Sequence, residues 1–200
     1  MTEISFQKRY VLIYALIIAA TQHILININS IIENSISSYW AIDVIVLVMM
    51  LLILSLFDRE QKERIALGFF YRKKPFERGD KWINNDSRIK NKAKVRQKLK
   101  NIKNEDFFYE YYYKVKDIKS VNAKNEEYCV IRDITFVLFI MLIGILILTS
   151  IWTQYFWKEL IAVVVAYLVA IISTNRKAKE FICQIIVEKI CLEGEEYYED

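Results

Sequence analysis

Four long apolar runs constrain the fold of this chain more than any other feature of its sequence. They cover roughly residues 10–31, 40–57, 134–153 and 156–174. A helix needs about 20 apolar residues to cross a hydrocarbon core about 30 Å thick, and each run is close to that length. Only 4 Gly and 1 Pro occur in 200 residues, of which 54% are hydrophobic. The sequence therefore predicts an all-α integral membrane protein with four transmembrane helices.

A cleaved signal peptide is the alternative interpretation of the first run, because Lys8 and Arg9 precede it. That run is too long for the apolar region of a signal peptide, and no A-x-A-like cleavage site follows it. We therefore interpret the first run as a membrane helix.

The positions of Lys and Arg predict how the helices are oriented. The two linkers NSIIENSISSY and TQYFWKE together contain one Lys and no Arg. The N-terminus, the long central segment and the C-terminal tail carry the other basic residues, and the positive-inside rule places these parts in the cytoplasm. A composition rich in Ile, Asn and Lys is typical of AT-rich bacterial genomes. The prediction is a multi-pass protein of the bacterial inner membrane with both termini cytoplasmic.

This layout divides the chain into four parts. Residues 1–57 contain the N-terminal segment and a first transmembrane hairpin, and residues 133–174 contain a second hairpin. Between them, residues 58–132 form a cytoplasmic insert with 21 Lys and Arg against 12 Asp and Glu. Residues 175–200 are predicted to form a cytoplasmic amphipathic helix followed by an acidic tail.

The insert contains a dense basic run followed by a dense aromatic run. Eight Lys and Arg occur in residues 88–103, and six Phe and Tyr occur in residues 107–113. Basic residues beside a membrane are expected from topology alone, and each gains about 1 kcal/mol near anionic lipid. They also attract a nucleotide, a protein partner or nucleic acid, of which nucleic acid is the weakest prediction. The candidate contacts for an anionic ligand or lipid are Arg88, Lys90, Lys92, Lys94, Arg96, Lys98, Lys100 and Lys103.

Helical periodicity predicts three amphipathic helices in the cytoplasmic parts. The apolar face of the first consists of Ile89, Ala93, Leu99 and Ile102. The second has two overlapping faces formed by Phe108, Tyr111, Tyr112, Val115 and Ile118. The apolar face of the third consists of Ala178, Ile182, Ile185, Ile186 and Ile190. We expect the aromatic residues, which recur at helical spacing, to pack against protein and not to stack on bases.

The segment that follows residue 58 is predicted to continue the second membrane helix into the cytoplasm. It contains good helix formers and has no helix breaker before Gly68. Pro75 is the residue expected to end this helix.

Polar residues within the first two runs are candidates for a functional surface. Polar groups in hydrocarbon are costly unless they are paired or hydrated, so these side chains are expected to face protein or water. Hydrogen bonding between helices is one interpretation, and an aqueous path formed by several copies of the chain is the other. The candidate pore or interhelical polar face consists of Gln22, His23, Asn27, Ser30 and Asp43.

Catalytic and metal-binding chemistry is not predicted for this chain. The sequence lacks a phosphate-binding Gly-rich loop, an H-E-x-x-H motif and a G-x-S-x-G motif. With 1 His and 3 Cys, it offers no ligand set with the spacing of a zinc site. The three cysteines fall on the predicted cytoplasmic side and are expected to be reduced thiols. We therefore predict a non-enzymatic protein with no cofactor, no metal and no catalytic residues.

The arrangement of these segments resembles a group of small bacterial membrane proteins. The features that match are a hairpin, an insert that begins LGFFYRKKPFERGDKW, the stretch FFYEYYYK, and YCVIRDI entering a second hairpin. These features resemble the four-transmembrane pore-forming effectors associated with SMODS nucleotidyltransferases in anti-phage systems. The resemblance implies an oligomeric effector that permeabilises the inner membrane when its cytoplasmic part senses a signal. The alternative is a membrane-anchored sensor or scaffold whose insert binds its ligand without forming a pore.

Overall fold

The computed structural model describes residues 52, 55–68, 75–89, 92–100, 104–151 and 157–193. Every regular element within these ranges is helical. The α-helices are α1 (Arg59–Ala66), α2 (Gly79–Trp82), α3 (Lys92–Lys100), α4 (Asn104–Phe107), α5 (Tyr113–Val115), α6 (Lys119–Ile151) and α7 (Trp157–Leu192). Turns of 3-10 helix at Pro75–Arg78 and Ile83–Asn85 flank α2, and a π-helical turn at Phe108–Tyr112 joins α4 to α5.

The described residues fall into two compact units. The first unit contains those of Met1–Ala66 and Asp133–Ala170, and the second contains those of Leu67–Arg132 and Ile171–Asp200. Residues 67–132 of the insert and the C-terminal segment, which are far apart in sequence, therefore belong to one unit, whereas residues 58–66 of the insert belong to the first unit.

Helices α6 and α7 are each long and apolar enough to cross a membrane. Most side chains in their apolar stretches are not buried against the rest of the chain. Ile147, Ile161 and Val169, for example, are 56%, 62% and 58% exposed. Water penalises an apolar surface of this extent, whereas lipid accepts it. The first predicted span and most of the second lie outside the described residues, so the four-span layout stays a prediction.

The hydroxyl groups near the end of α6 are satisfied within their own helix. Thr149 donates to the carbonyl oxygen of Ile145 at 2.7 Å, and Ser150 donates to that of Leu146 at 2.6 Å. A hydroxyl that bonds to the preceding turn removes most of the cost of placing it in hydrocarbon. These two residues are therefore compatible with a membrane-spanning segment.

The prediction that one helix continues from the second span to Pro75 is wrong. Helix α1 begins at Arg59, where Asp58 acts as its cap: the Gln61 backbone N–H donates to Asp58 Oδ1 at 2.7 Å. The Asp58 N–H donates in turn to Gln61 Oε1 at 3.1 Å, which completes a reciprocal capping arrangement. The helix ends at Ala66, two residues before Gly68, whose φ of 85° suits a residue without a side chain.

The second unit is built on the apolar face of α7, which the sequence predicted correctly. All five residues of that face are buried. Four of them are fully buried, and the fifth, Ile190, is 9% exposed. Phe181 lies beside them, with its ring 5.9 Å from the ring of Tyr128 and 5.8 Å from that of Tyr112. The predicted amphipathic helix is not a separate element, because α7 runs without interruption from Trp157 to Leu192. No Gly or Pro occurs within it to end the preceding span.

The aromatic run packs against this core in a helical arrangement. Phe107, Tyr111 and Val115 are buried, and Phe108 and Tyr112 are half-buried against the same cluster. The expectation that these rings pack against protein is therefore confirmed for four of the six. Tyr109 and Tyr113 are exposed, and their rings stack on each other at 5.5 Å.

The predicted apolar face of the basic helix is only partly correct. Ile89 and Leu99 are buried as expected, but Ala93 is exposed and the buried residue on this face of α3 is Val95. The shift arises because Ile89 precedes α3, which begins at Lys92, so the helical spacing does not start at Ile89. Ile102 lies outside the described residues.

Replacing Ile186 by Ala should destabilise the second unit. Its side chain is fully buried, and a truncation of this kind removes apolar contact and leaves a cavity, at a cost of about 2–5 kcal/mol. The melting temperature of the helical signal, followed by circular dichroism in detergent, should fall by several degrees. Leu192→Ala is the matched control on the same helix, because Leu192 is 59% exposed. Equal losses in the two variants would contradict this description of the core.

Candidate anion-binding cleft

A polar cleft of about 400 Å³ lies within the second unit. Pockets that bind small molecules commonly have a volume of about 300–1,000 Å³, so this cleft is large enough for one small ligand. Its lining residues are Asp86, Ser87, Arg88, Lys124, Arg176, Lys179, Glu180, Cys183 and Gln184.

Three segments of the chain bring these residues together. Helix α7 supplies five of them at positions 176, 179, 180, 183 and 184, a spacing that places them along one side of a helix. Helix α6 supplies Lys124, and the loop between the second 3-10 turn and α3 supplies residues 86–88. The polar side of α7 thus adjoins the apolar side that forms the core.

One end of the cleft is organised by Arg88. Its Nε and Nη2 donate to the two carboxylate oxygens of Asp86 at 3.0 and 2.7 Å, and its Nη1 donates to Gln184 Oε1 at 2.6 Å. The Arg88 backbone N–H also donates to Asp86 Oδ1 at 3.0 Å. The hydrogen bonds from the Arg88 side chain hold the pKa of Asp86 below its ordinary value of 3.8. The guanidinium is therefore fixed in position and permanently charged.

The other end of the cleft contains an ion-pair network between α6 and α7. Lys124 Nζ lies 3.1 Å from Glu127 and 3.2 Å from Glu180, and Lys177 Nζ lies 2.8 Å from Glu127 and 2.9 Å from Glu180. The hydrogen bond from Lys177 lowers the pKa of Glu127, with a smaller contribution from Lys124. Burial raises the pKa of Glu180, but the bonds from both lysines outweigh it and lower that pKa overall.

Cys183 forms part of the cleft wall but is a poor nucleophile. Burial, reinforced by the nearby charge of Asp86, raises the pKa of its thiol to about 11. At neutral pH the thiolate, which is the reactive form, is therefore scarce. Cys129 and Cys191 also form no disulfide bond, and of the three cysteines only Cys191 is exposed.

The charge of the cleft favours an anion. Four cationic residues line it against two carboxylates, Asp86 and Glu180, and both carboxylates already accept bonds from cations. Arg176 Nε lies 3.4 Å from Glu180 Oε1, but the Arg176 side chain is 81% exposed. Lys179 makes no ion pair with the part of the chain that the structure describes. Within the same part of the chain, no three His, Cys, Asp or Glu side chains are grouped as metal ligands would be. The arrangement suits binding of an anion.

Among the described residues of the predicted basic run, only Arg88 lines this cleft. The Lys92 ammonium donates to the carbonyl oxygen of Asn84 at 3.0 Å. The other described members of the run, which are exposed on α3, are Lys94, Arg96, Lys98 and Lys100. Seven candidate residues lie outside the described residues: Lys90, Lys103, Gln22, His23, Asn27, Ser30 and Asp43.

The α7 residues of the cleft were not recognised in the sequence. Their signal was present, because polar residues recur at helical spacing beside the apolar face of the same helix. A charged helix side is ordinarily a solvated surface, so this pattern alone does not identify a site. Lys124 carried no local signal, since its position in the cleft depends on the packing of α6 against α7 within the unit.

The comparisons with known proteins are negative. No protein-family model, no curated protein and no solved structure matches this chain. The resemblance to four-transmembrane effectors therefore stays a prediction.

Replacing Lys177 by Gln should weaken the second unit near neutral pH and less so in acid. The lowered pKa values of Glu127 and Glu180 give stability that is present above about pH 4.5 and lost as the pH falls through their folded values. The variant has already lost part of this contribution at pH 7. The difference in free energy of unfolding between the variant and the wild type should therefore become smaller on acidification. These groups are about one-third exposed, so the difference should stay below about 1 kcal/mol.

Thermal unfolding at pH 7 and pH 3.5 would measure this narrowing. Lys100→Gln on the exposed side of α3 is the matched control, and it should show little change at either pH. If Lys177→Gln lowers the stability by the same amount at both pH values, the ion pairs of Lys177 are not the source of the effect.

Proposed function

We propose that this protein is a multi-pass membrane protein whose cytoplasmic helical unit is a receptor for an anionic ligand. The observation that carries the proposal is the contrast within α6 and α7. Each helix has a long apolar stretch with exposed side chains and also a stretch whose side chains form a charged, well-packed unit. Lipid suits the first kind of surface and water suits the second.

The cytoplasmic location of this unit is supported by its charge. Residues 67–132 and 171–200, which make up this unit, carry 22 Lys and Arg against 16 Asp and Glu, and the positive-inside rule expects such an excess of basic residues in a cytoplasmic segment. Three cysteines that are not in disulfide bonds also suit a reducing compartment. The cleft beside Arg88 supplies the receptor function, because fixed and exposed cations converge there.

Labelling of Cys191 should test the proposed topology. In intact spheroplasts a membrane-impermeant maleimide should leave the protein unlabelled, because the second unit would lie inside the cell. After permeabilisation the label should attach to Cys191, which is exposed, and should be slow at Cys183, whose thiol is buried with a pKa of about 11. The protein should also stay in the membrane fraction after extraction with alkaline carbonate.

Cys191→Ser is the control for this experiment and should remove most of the label. Labelling of Cys191 in intact spheroplasts would reject the cytoplasmic location. Release of the protein by carbonate would reject the membrane location.

A second candidate function is that of an oligomeric effector that permeabilises the membrane, in line with the anti-phage resemblance. The observation that favours it is the polar set Gln22, His23, Asn27 and Ser30 within the first apolar run, together with Asp43 at the start of the second. Within the described part of α6, Thr149 and Ser150 donate to their own helix and do not supply a polar path. A pore would therefore depend on the N-terminal residues.

Leakage of a dye from liposomes separates the two candidates. The effector should release the dye, and Gln22→Leu combined with His23→Leu should reduce the release, because it removes polar groups from the path. If vesicles with the wild-type protein retain the dye in the presence and absence of phosphate-bearing ligands, the pore-forming effector is rejected and the receptor remains.

A further inference from the structure

The lining of the cleft beside Arg88 indicates which class of anion it binds. We propose that it binds a small molecule through a phosphate or pyrophosphate group, with Arg176 and Lys179 as the principal phosphate contacts. This proposal rests on the proposed function only in taking the ligand of the cytoplasmic unit to be anionic.

The size of the cleft points to a small ligand. Its volume of about 400 Å³ fits one phosphorylated small molecule, whereas a nucleic-acid backbone or a membrane surface requires an extended basic face. The exposed basic residues of α3 lie outside this lining.

Fixed and adaptable cations occur together in the cleft. Arg88 commits three of its N–H groups to Asp86 and Gln184, which leaves one N–H on each terminal nitrogen in a guanidinium that cannot reorient. Arg176 and Lys179 lie three residues apart on α7, so one phosphate group can contact both. An arginine suits two phosphate oxygens at once, and a lysine adds a point charge.

The rest of the lining suits the remainder of such a ligand. Ser87 offers a hydroxyl that donates and accepts. The Gln184 amide nitrogen donates to Glu188 Oε1 at 2.8 Å and has a second N–H beside the oxygen that accepts from Arg88. These groups can hydrogen-bond to the polar body of a phosphorylated molecule.

Calorimetric titration of the full-length protein in detergent with inorganic pyrophosphate tests the proposal. Saturable binding should persist at about 0.15 M salt, because a built site depends less on screening than a diffuse basic surface. Arg176→Gln combined with Lys179→Gln should weaken binding at least tenfold. The matched control is Arg96→Gln combined with Lys100→Gln, which makes the same change of charge on exposed residues of α3 and should leave the affinity within about twofold.

Two results would overturn the phosphate site. One is the absence of saturable binding at this salt concentration, and the other is an equal loss of affinity in the α3 control. Neither result would affect the labelling of Cys191, so failure of the phosphate site and failure of the membrane topology are distinguishable. External labelling of Cys191 would reject the cytoplasmic receptor even where pyrophosphate binds.

The same titration in nanodiscs distinguishes a soluble ligand from a lipid headgroup. If the natural source of the phosphate is a headgroup, phosphatidylglycerol should compete and lower the affinity for pyrophosphate relative to neutral phosphatidylcholine. If the source is a soluble molecule, the two lipids should give the same affinity. Either outcome supports a phosphate site, provided that only the Arg176→Gln and Lys179→Gln double variant loses affinity for pyrophosphate.

Discussion

The structure of the second unit depends on the packing of the apolar face of α7. Ile182, Ile185 and Ile186 on α7 are fully buried, and the chain segments from both the insert and α6 gather around them. A side-chain carbon placed at Gly79 would lie 3.5 Å from Ile186, which shows how closely α2 approaches this face. Without this burial, nothing would hold the loop at Arg88 beside α7, because the hydrogen bonds across the cleft connect partly exposed groups.

The cleft is a consequence of that core. Once the apolar face of α7 is buried, its neighbouring polar side must face the loop before α3 and the start of α6. Lys124 and Glu180 meet there, and Arg88 is held by Asp86 and Gln184. Paired charges of this kind contribute little to stability where solvent reaches them, but they fix the positions of Arg88 and Lys124. The ligand chemistry proposed for the cleft depends on that placement.

Several features could be predicted because they depend on local sequence alone. The apolar face of α7, the helical aromatic segment around Tyr111, and two helices able to cross a membrane all follow from length and periodicity. The new helix at Arg59 was missed because a capping arrangement between Asp58 and Gln61 outweighed the absence of a helix breaker. Of the described members of the basic run, only Arg88 reaches the cleft, and contact of the run with an anionic ligand or lipid stays a prediction.

By itself the sequence determined which surfaces must avoid water, because apolar length and spacing are properties of single helices. It determined in the same way that α6 and α7 are long and apolar enough to cross a membrane. Only the tertiary structure decided that Arg88, Lys124 and Lys179 line one cleft. These residues lie on three segments that are far apart in sequence, and their proximity arises from burial of a shared core. Non-local packing of that kind leaves no periodic mark in the sequence.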